Sequence, residues 1–262
     1  MSLYAIGGCQ IAHSSHGQLP ARAYERLRDL IVRGRLPAGA RVVEAEAALM
    51  LGASRTPIRE ALVRLLQEGY LVAPVGGGRT QLVVAPLSLE RMRELWSVIG
   101  ALEGLAIEAI DRLPLDRRLP MANDMERLNR ALRDASAQAP ADVDALFEVQ
   151  TSFHERFVTE CAGPLLLAMY RSVRPHVERY EYWAYGAFEG RDLGPSTREH
   201  GAIIEAVRSG DARGAREAVE THWRNAAMRT ARVVERAESS PDATAEPTAP
   251  ARTRPRARSR RR

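Results

Sequence analysis

The sequence contains Ser54-Arg55-Thr56-Pro57-Ile58-Arg59-Glu60-Ala61-Leu62, a stretch that combines the start of an α-helix with two arginines. A serine or threonine can cap a helix, and a proline suits its first turn. Arg55 and Arg59 lie four residues apart and therefore share a face. Three leucines fall on another face: Leu62, Leu65 and Leu66. The helix can bury one side and present two guanidinium groups from the other.

A second short helix precedes this stretch. Glu44 to Leu51 is an Ala-rich amphipathic segment that ends at Gly52. Two short helices joined by a tight glycine-containing turn, the second led by arginines, are typical of a helix-turn-helix. The pattern alone leaves one alternative open, an ordinary surface helix with solvated arginines.

The surrounding residues favour the helix-turn-helix. Apolar residues recur at helical spacing over residues 20–34, which predicts a preceding helix. Residues 70–73 and 81–84 are short β-prone runs around a glycine-rich tip, which predicts a hairpin. The tip glycines are Gly76, Gly77 and Gly78. A helix, a helix-turn-helix and a hairpin in this order predict a winged helix over residues 19–86.

Beyond Pro86 the sequence is strongly helical. Helices are expected at about 88–113, 116–138, 142–162, 164–189 with an interruption, 195–209 and 211–238. The predicted fold class is therefore mainly α, an N-terminal winged helix-turn-helix followed by an all-α bundle over residues 87–238. Residues 1–18 lack periodicity and are expected to be a flexible N-terminus. Residues 239–262 are expected to be a disordered Arg-rich tail, because their composition cannot build a core.

The overall charge of the chain depends on that tail. The net charge is +5 and the pI is near 9.7, but residues 251–262 contain seven arginines and no acid. Without those arginines the balance is about −2, so the global charge says little about nucleic-acid binding.

The cysteine content and the absence of long apolar runs indicate a cytoplasmic protein. Cys9 and Cys161 are the two cysteines, and they lie far apart in dissimilar contexts. A disulfide framework is therefore not expected. The sequence has no apolar run long enough to span a membrane and no signal-peptide pattern, so no membrane partner is expected.

The positions of the histidines indicate a possible metal site. His200 and His222 lie at nearly equal distances on either side of the turn Ser209-Gly210-Asp211. If the flanking helices run antiparallel, both imidazoles lie at the same height, about 15 Å along each helix. His154 and Gln150, four residues apart, place two more donors on one face of another helix. The alternative is three ordinary, partly buried histidines.

The sequence resembles the GntR family of transcription regulators, in the FadR-like branch with an FCD effector domain. The stretch from Ser54 to Leu62 matches the recognition-helix signature of that family almost residue for residue. The other matching motifs are Gly34-Arg35-Leu36-Pro37-Ala38-Gly39, Glu68-Gly69-Tyr70-Leu71, Glu94-Leu95-Trp96, Leu102-Glu103 and Ser209-Gly210-Asp211.

The resemblance implies a homodimer that binds a palindromic double-stranded DNA operator, with each recognition helix in a major groove. Arg55 and Arg59 are the residues expected to contact base edges, since a guanidinium can bond guanine bidentately. Ser54 and Thr56 are expected to contact phosphate, and the loop Gly76–Gly78 is expected to approach the backbone or the minor groove. Ala45 stands where the family often has a DNA-contacting arginine.

The resemblance also implies a divalent-metal site, for zinc or a nickel-like ion, in the helical domain. Its ligands would be His154, His200 and His222, with Gln150 at the position of the family's aspartate. A neutral amide is a poorer ligand than a carboxylate, so metal affinity should fall, or an effector carboxylate or a water should complete the shell.

The effector pocket implied by the family surrounds that metal site. Its residues here would be Ile99, Glu103, Gln150, His154, His200 and His222. Ile99 stands where the family often has an arginine that clamps an acidic effector. A less acidic or more apolar ligand is therefore expected.

The predicted function is a ligand-responsive, sequence-specific DNA-binding regulator, a repressor that a small metabolite releases from its operator. The alternative is a helical-bundle metalloenzyme with an appended nucleic-acid-binding domain, because three histidines and an open position could activate water. A third possibility is nonspecific DNA binding by the arginine tail. His176 is expected to be a surface or packing residue, and three tryptophans are expected in the core: Trp96, Trp183 and Trp223. The pattern leaves open whether three tyrosines line a pocket: Tyr180, Tyr182 and Tyr185.

Overall fold

The chain folds into two lobes that pack against each other. The computed structural model describes residues 19–74, 81–138, 140–187 and 193–238. The N-terminal lobe contains α1 (Leu19–Val32), β1 (Arg41–Val42), α2 (Glu44–Leu51), α3 (Arg55–Gln67), β2 (Leu71–Val72) and β3 (Leu82–Val84). The helical lobe contains α4 (Leu89–Ile107), a 3-10 helix (Glu108–Arg112), α5 (Leu115–Ser136), α6 (Val143–Cys161), α7 (Pro164–Ala187), α8 (Gly194–Ser209) and α9 (Ala212–Glu238). The predicted mainly α fold class is confirmed.

The N-terminal lobe has the winged helix architecture. Its antiparallel sheet has the strand order β1-β3-β2, and Val83 lies between Arg41 and Val72 in the register. Gly52 ends α2 at φ 61°, a left-handed conformation that a glycine adopts without strain. Ile58 and Leu65 are fully buried against α1 and the sheet, so α3 buries the predicted face.

Two details of α3 differ from the prediction. Ser54 stands at the N-cap position, but its side chain makes no cap hydrogen bond. Leu66 remains 38% exposed, because the buried stripe follows Ile58, Leu62 and Leu65 instead. The predicted tip glycines, Gly76, Gly77 and Gly78, lie outside the described residues.

The predicted interruption within residues 164–189 is wrong, because α7 is continuous from Pro164 to Ala187 with Pro175 inside it. A proline removes one backbone hydrogen bond from a helix but need not end it when packing holds both sides. Arg174, one residue before Pro175, and Val177, two residues after it, are both buried. The first predicted helix of this lobe is also shorter, since α4 ends at Ile107 and a 3-10 helix follows.

The helices α4 and α9 approach each other closely at the centre of the helical lobe. A Cβ atom on Gly100 would lie 3.1 Å from the Cβ of Trp223, and one on Gly104 would lie 3.2 Å from Glu220. The two glycines therefore allow α9 to pack directly on α4. Trp96 and Trp223 are buried in this core as predicted, whereas Trp183 is half-buried.

The helix α7 forms the junction between the lobes. The imidazole of His176 stacks on the ring of Tyr70, with ring centroids 4.2 Å apart and an interplanar angle of 11°. The backbone N–H of Ser88 donates to the Tyr180 hydroxyl at 3.2 Å, and Arg179 donates to the carbonyl of Ala85. His176 is thus a packing residue that joins the two lobes.

The stack predicts a measurable pH dependence. Burial, with a smaller contribution from the Arg91 cation, lowers the pKa of His176 to about 4. The folded protein therefore keeps this imidazole neutral, while the unfolded chain takes up a proton below about pH 6.5. Protonation of His176 in the unfolded chain therefore lowers the free energy of unfolding as the pH falls from about 6.5 toward about 4. Replacing it with phenylalanine keeps a stacking ring and removes this loss, so the Tm should fall less between pH 7.5 and pH 5, by about two degrees or more. An unchanged pH slope in H176F would contradict the assignment.

None of the helices in the described part of the chain is long and apolar enough to cross a lipid bilayer.

Candidate metal centre and DNA-binding surface

Three buried histidines from three helices meet inside the helical lobe. His154 lies on α6, His200 on α8 and His222 on α9, and each is at most 1% exposed. One ring nitrogen from each lies within 4.8 Å of those of the other two. The turn between α8 and α9 brings the two later histidines level with each other, as their spacing predicts. We call this group the three-histidine centre.

Each imidazole of the three-histidine centre is oriented by an acceptor on its outer side. The Nδ1 atom of His154 lies 2.7 Å from Glu103, that of His200 lies 3.2 Å from the Asn129 oxygen, and that of His222 lies 2.9 Å from Glu199. A hydrogen on each Nδ1 satisfies these contacts and leaves the Nε2 lone pairs directed inward. Among the described residues, Nε2 of His200 and Nε2 of His222 have no hydrogen-bond partner.

Gln150 contacts the imidazole of His154. Its Nε2 lies 3.0 Å from Nε2 of His154, so the amide donates to the lone pair that a metal would use. The amide oxygen Oε1 is buried and has no partner among the residues that the structure describes. Rotation of the amide by half a turn exchanges the two atoms and offers the oxygen in place of the N–H group.

Burial keeps two imidazoles of the three-histidine centre neutral, those of His154 and His200. Desolvation first, and the neighbouring His222 second, hold the pKa of His154 and of His200 well below the usual value. Burial also raises the pKa of Glu103 to about 7, against the opposing effects of Arg174 and of the Trp223 indole, which donates at 2.7 Å. Neutral imidazoles with inward lone pairs are the form in which histidine binds a metal. The residues present therefore fit a divalent metal.

A small cavity of about 60 Å³ lies beside His222. Its lining includes Trp96, Gln150, Glu181, Tyr185, Ser196 and Arg229. Four buried lining atoms lack a hydrogen-bond partner within the described ranges: Trp96 Nε1, Gln150 Oε1, Glu181 Oε2 and His222 Nε2. Of these, Glu181 Oε2 is in an ion pair with Arg174. Buried polar atoms without partners are costly, so this cavity is suited to a small polar ligand.

The lining differs from the predicted effector pocket. Gln150 and His222 line the cavity, but four other predicted residues do not: Ile99, Glu103, His154 and His200. Ile99 is fully buried in the apolar core instead. Of the three tyrosines left open, Tyr185 lines the cavity and the other two do not.

Sequence reasoning missed the charged residues of this region. Glu181 and Arg174 are both buried on α7 and form an ion pair at 2.9 Å, and Arg229 on α9 pairs with Glu199 at 2.7 Å. No periodicity marks them, because single charged residues on a helix ordinarily belong to its solvated face. Only the packing of five helices around the cavity shows that they are enclosed.

The recognition helix α3 presents its predicted residues to solvent. Four of them are exposed: Ser54, Arg55, Thr56 and Arg59. The side chain of Arg59 is 69% exposed and forms a bidentate ion pair with Glu44, with Nε at 2.9 Å and Nη2 at 3.0 Å from the carboxylate oxygens. Ala45 is exposed on α2 near this pair and offers no donor.

Comparison with known proteins agrees with both parts of this description. The model of the bacterial regulatory proteins of the gntR family matches residues 19–80, and the FCD domain model matches residues 94–225. The chain belongs to the GntR family. It is a ligand-responsive, DNA-binding transcription regulator, in which the helix-turn-helix implies DNA binding and the FCD domain implies a small-molecule effector.

Relatives of this GntR-family regulator carry names of the same kind. A probable D-xylose utilization operon transcriptional repressor from Paenarthrobacter nicotinovorans is 28% identical over 75% of this chain and 84% of its own length. A putative L-lactate dehydrogenase operon regulatory protein from Escherichia coli is 28% identical over 76% of this chain and 81% of its own. These names favour a regulator over the metalloenzyme that the sequence left open.

The fold of this GntR-family regulator also matches solved structures. The E. coli protein McbR/YncC superposes with a TM-score of 0.66 at 21% identity, covering 86% of this chain and 99% of its own. A GntR regulator from Rhodococcus sp. RHA1 superposes with a TM-score of 0.62 at 19% identity, covering 82% of this chain and 97% of its own. At this identity the likeness concerns the fold alone.

Proposed function

We propose that this GntR-family regulator is a homodimeric, cytoplasmic repressor that binds a palindromic operator and is released by a small metabolite. The effector binds in the cavity beside the three-histidine centre. The observation that carries this proposal is the conjunction of that centre with a neighbouring cavity whose buried polar atoms lack partners. The exposed arginines on α3 support the DNA-binding half of the proposal.

The proposed division of labour follows the two lobes. Residues 19–86 bind DNA and residues 87–238 bind the effector and the second subunit. Arg55 and Arg59 contact base edges, because a guanidinium offers two parallel donors to guanine. Ser54 and Thr56 contact phosphate from the start of the helix. The loop Gly76–Gly78, which lies outside the described residues, completes the DNA contact.

A divalent metal, zinc or a nickel-like ion, would be held by His154, His200 and His222, with the amide oxygen of Gln150 as a weaker fourth ligand. When bound, it supplies a positive charge that anchors an acidic group of the effector. None of these four side chains carries a negative charge to offset that of the metal. The carboxylates of Glu103 and Glu199 contact the outer nitrogens of two of the imidazoles and cannot reach the metal position, so an effector carboxylate or a water would complete the shell.

The second subunit is proposed to pack on the outer surface of α4 and α9. Val98 and Leu105 on α4 are 41% and 47% exposed, and Met228 on α9 is 53% exposed. A groove between α4 and α9 has walls that include Ser97, Ala101 and Met228. Exposed apolar residues on two adjacent helices favour an interface with another protein, and a second copy is the partner that a palindromic operator requires.

The experiment that tests the function is selection of bound duplexes from a randomised DNA library by the purified full-length protein. We expect enrichment of a palindromic motif at physiological salt, and the loss of its binding in the presence of the effector. Enrichment of no motif, with or without added zinc, would show that sequence-specific repression is wrong. Enrichment of an asymmetric single site would contradict the dimer.

Replacing Gln150 with aspartate tests the role of the amide in metal binding. The carboxylate adds a charged ligand in place of the group that now donates to His154. We expect zinc affinity to rise at least tenfold and the zinc-dependent increase in Tm to grow by about three degrees. The matched control is Gln138→Asp, which adds the same charge at an exposed position. Equal zinc titrations for Q150D, Q138D and the wild type would contradict the proposed ligand set.

A further inference from the structure

An ion pair connects the two helices of the helix-turn-helix. Glu44 is the first residue of α2 and Arg59 lies within α3, fifteen residues later. Both carboxylate oxygens of Glu44 take part, one with Nε and the other with Nη2 of Arg59. The pair lies at the solvent-facing surface, since the Arg59 side chain is 69% exposed and that of Glu44 is 29% exposed.

The geometry of this pair determines which donors Arg59 retains. A guanidinium is a planar fork with five N–H groups, and it can bind bidentately through its side edge, Nε and one Nη, or through its end edge, the two Nη atoms. Glu44 occupies the side edge. The two N–H groups of the end edge, one on Nη1 and the second one on Nη2, have no partner among the described residues, and the side chain that carries them is 69% exposed.

The end edge matches the chemistry of guanine in the major groove. Guanine presents N7 and O6 as two adjacent acceptors, and a bidentate arginine is the commonest specific contact to it. A long, exposed arginine that is free to rotate must be ordered when it binds, which weakens the contact. Glu44 orders the side chain beforehand, and the positive end of the α2 dipole holds its carboxylate in place.

The carboxylate has a second effect at a DNA-binding surface. A negative charge close to the phosphate backbone opposes binding to DNA of any sequence. Glu44 therefore lowers the affinity for nonspecific DNA while it orients the arginine that reads the specific site. Both effects increase the ratio of specific to nonspecific affinity.

We propose that Glu44 is a specificity-determining positioning residue, which holds the end edge of Arg59 ready for a guanine in the operator. This inference rests on the proposed function only in requiring that the protein binds a specific DNA sequence. It assigns to a residue outside the recognition helix a role in choosing the base that the helix reads.

The test compares two changes that remove one negative charge each from α2 in the full-length protein. Glu44→Gln removes the charge and the bidentate acceptor pair. Glu46→Gln removes the same charge two residues away, at an exposed position. Each variant and the wild type first select duplexes from a randomised library. Their affinities for the selected operator and for a scrambled duplex are then measured at about 0.15 M salt.

We expect E44Q to bind the operator about tenfold more weakly and the scrambled duplex at least as tightly as the wild type. Its selected motif should lose the preference for guanine at one position in each half-site. E46Q should bind both duplexes somewhat more tightly and select the wild-type motif. In an Arg59→Ala background, E44Q should no longer change the ratio of the two affinities, because Glu44 acts through Arg59.

Two outcomes would overturn the proposal. The first is an E44Q protein that strengthens binding to both duplexes equally, as E46Q does, which would reduce Glu44 to a general charge effect. The second is an unchanged motif in E44Q. If the wild type itself enriches no motif, the proposed function fails as well, so the two failures are distinguishable.

Discussion

A protein in which His222 is replaced by alanine is expected to lose its stabilisation by added zinc. His222 contributes one of three inward ring nitrogens, and two neutral imidazoles with an amide are a poor site for a divalent ion. Removing one ligand should weaken zinc binding by at least 100-fold. At a zinc concentration about 100 times the wild-type Kd, this corresponds to a loss of about 2.3 kcal/mol of stabilisation. The zinc-dependent rise in Tm should therefore shrink by about six degrees or more.

The matched control for this change is His176→Phe, which removes a histidine outside the three-histidine centre. It should keep the full response to zinc. The substitution at His222 also deprives Glu199 of a donor, but Arg229 and Asn225 still hold that carboxylate, so the fold should survive. If H222A responds to zinc as the wild type does, or if the wild type does not respond to zinc or nickel, the proposed metal site is wrong.

The second large effect, on operator affinity, is expected when Arg55 is replaced with alanine. This side chain is exposed at the first residue of α3, close enough to Glu44 for the two charges to attract each other. Arg55→Ala should weaken operator binding by about 10- to 100-fold, the cost of a bidentate base contact, and should relax base preference at one position in each half-site. Operator and scrambled-duplex titrations of the purified protein measure both effects.

Arg64 provides the control on the same helix. It pairs with Glu68 at 2.8 Å and stacks over the ring of Tyr24 at 3.7 Å, so it faces α1. Arg64→Ala removes the same charge and should change the affinities for both duplexes by a similar, smaller factor. Equal losses of operator preference in R55A and R64A would exclude a base contact by Arg55.

Much of the fold was predictable because local signals and tertiary packing agree. The spacing of His200 and His222 around the Ser209–Asp211 turn predicts their meeting, since antiparallel helices bring equidistant residues to one height. The exposure of Arg55 and Arg59 likewise follows from the helical period. Pro175 is the counterexample, because packing on both sides of it outweighs the local preference for a break.

The partners of the functional residues were not predictable from sequence. Asn129, Glu199 and Glu44 are single polar residues on amphipathic helices, and nothing in their spacing distinguishes them from solvated ones. Their roles depend on which helix lies opposite, which is a property of the assembled bundle. The same holds for Glu181 and Arg174, whose burial reverses the usual interpretation of charged positions on a helix.

The position of α7 has a consequence for how a signal crosses the molecule. Glu181 lines the cavity, whereas Arg179 and Tyr180, two residues and one residue earlier, bind the backbone at Ala85 and Ser88 beside the DNA-binding lobe. For an effector bound in this cavity, as proposed, the width of one helix, about 10 Å, separates the ligand from the contacts with the DNA-binding lobe. A tilt of α7 on effector binding would therefore also displace Ala85 and Ser88, which connect the DNA-binding lobe to the helical lobe.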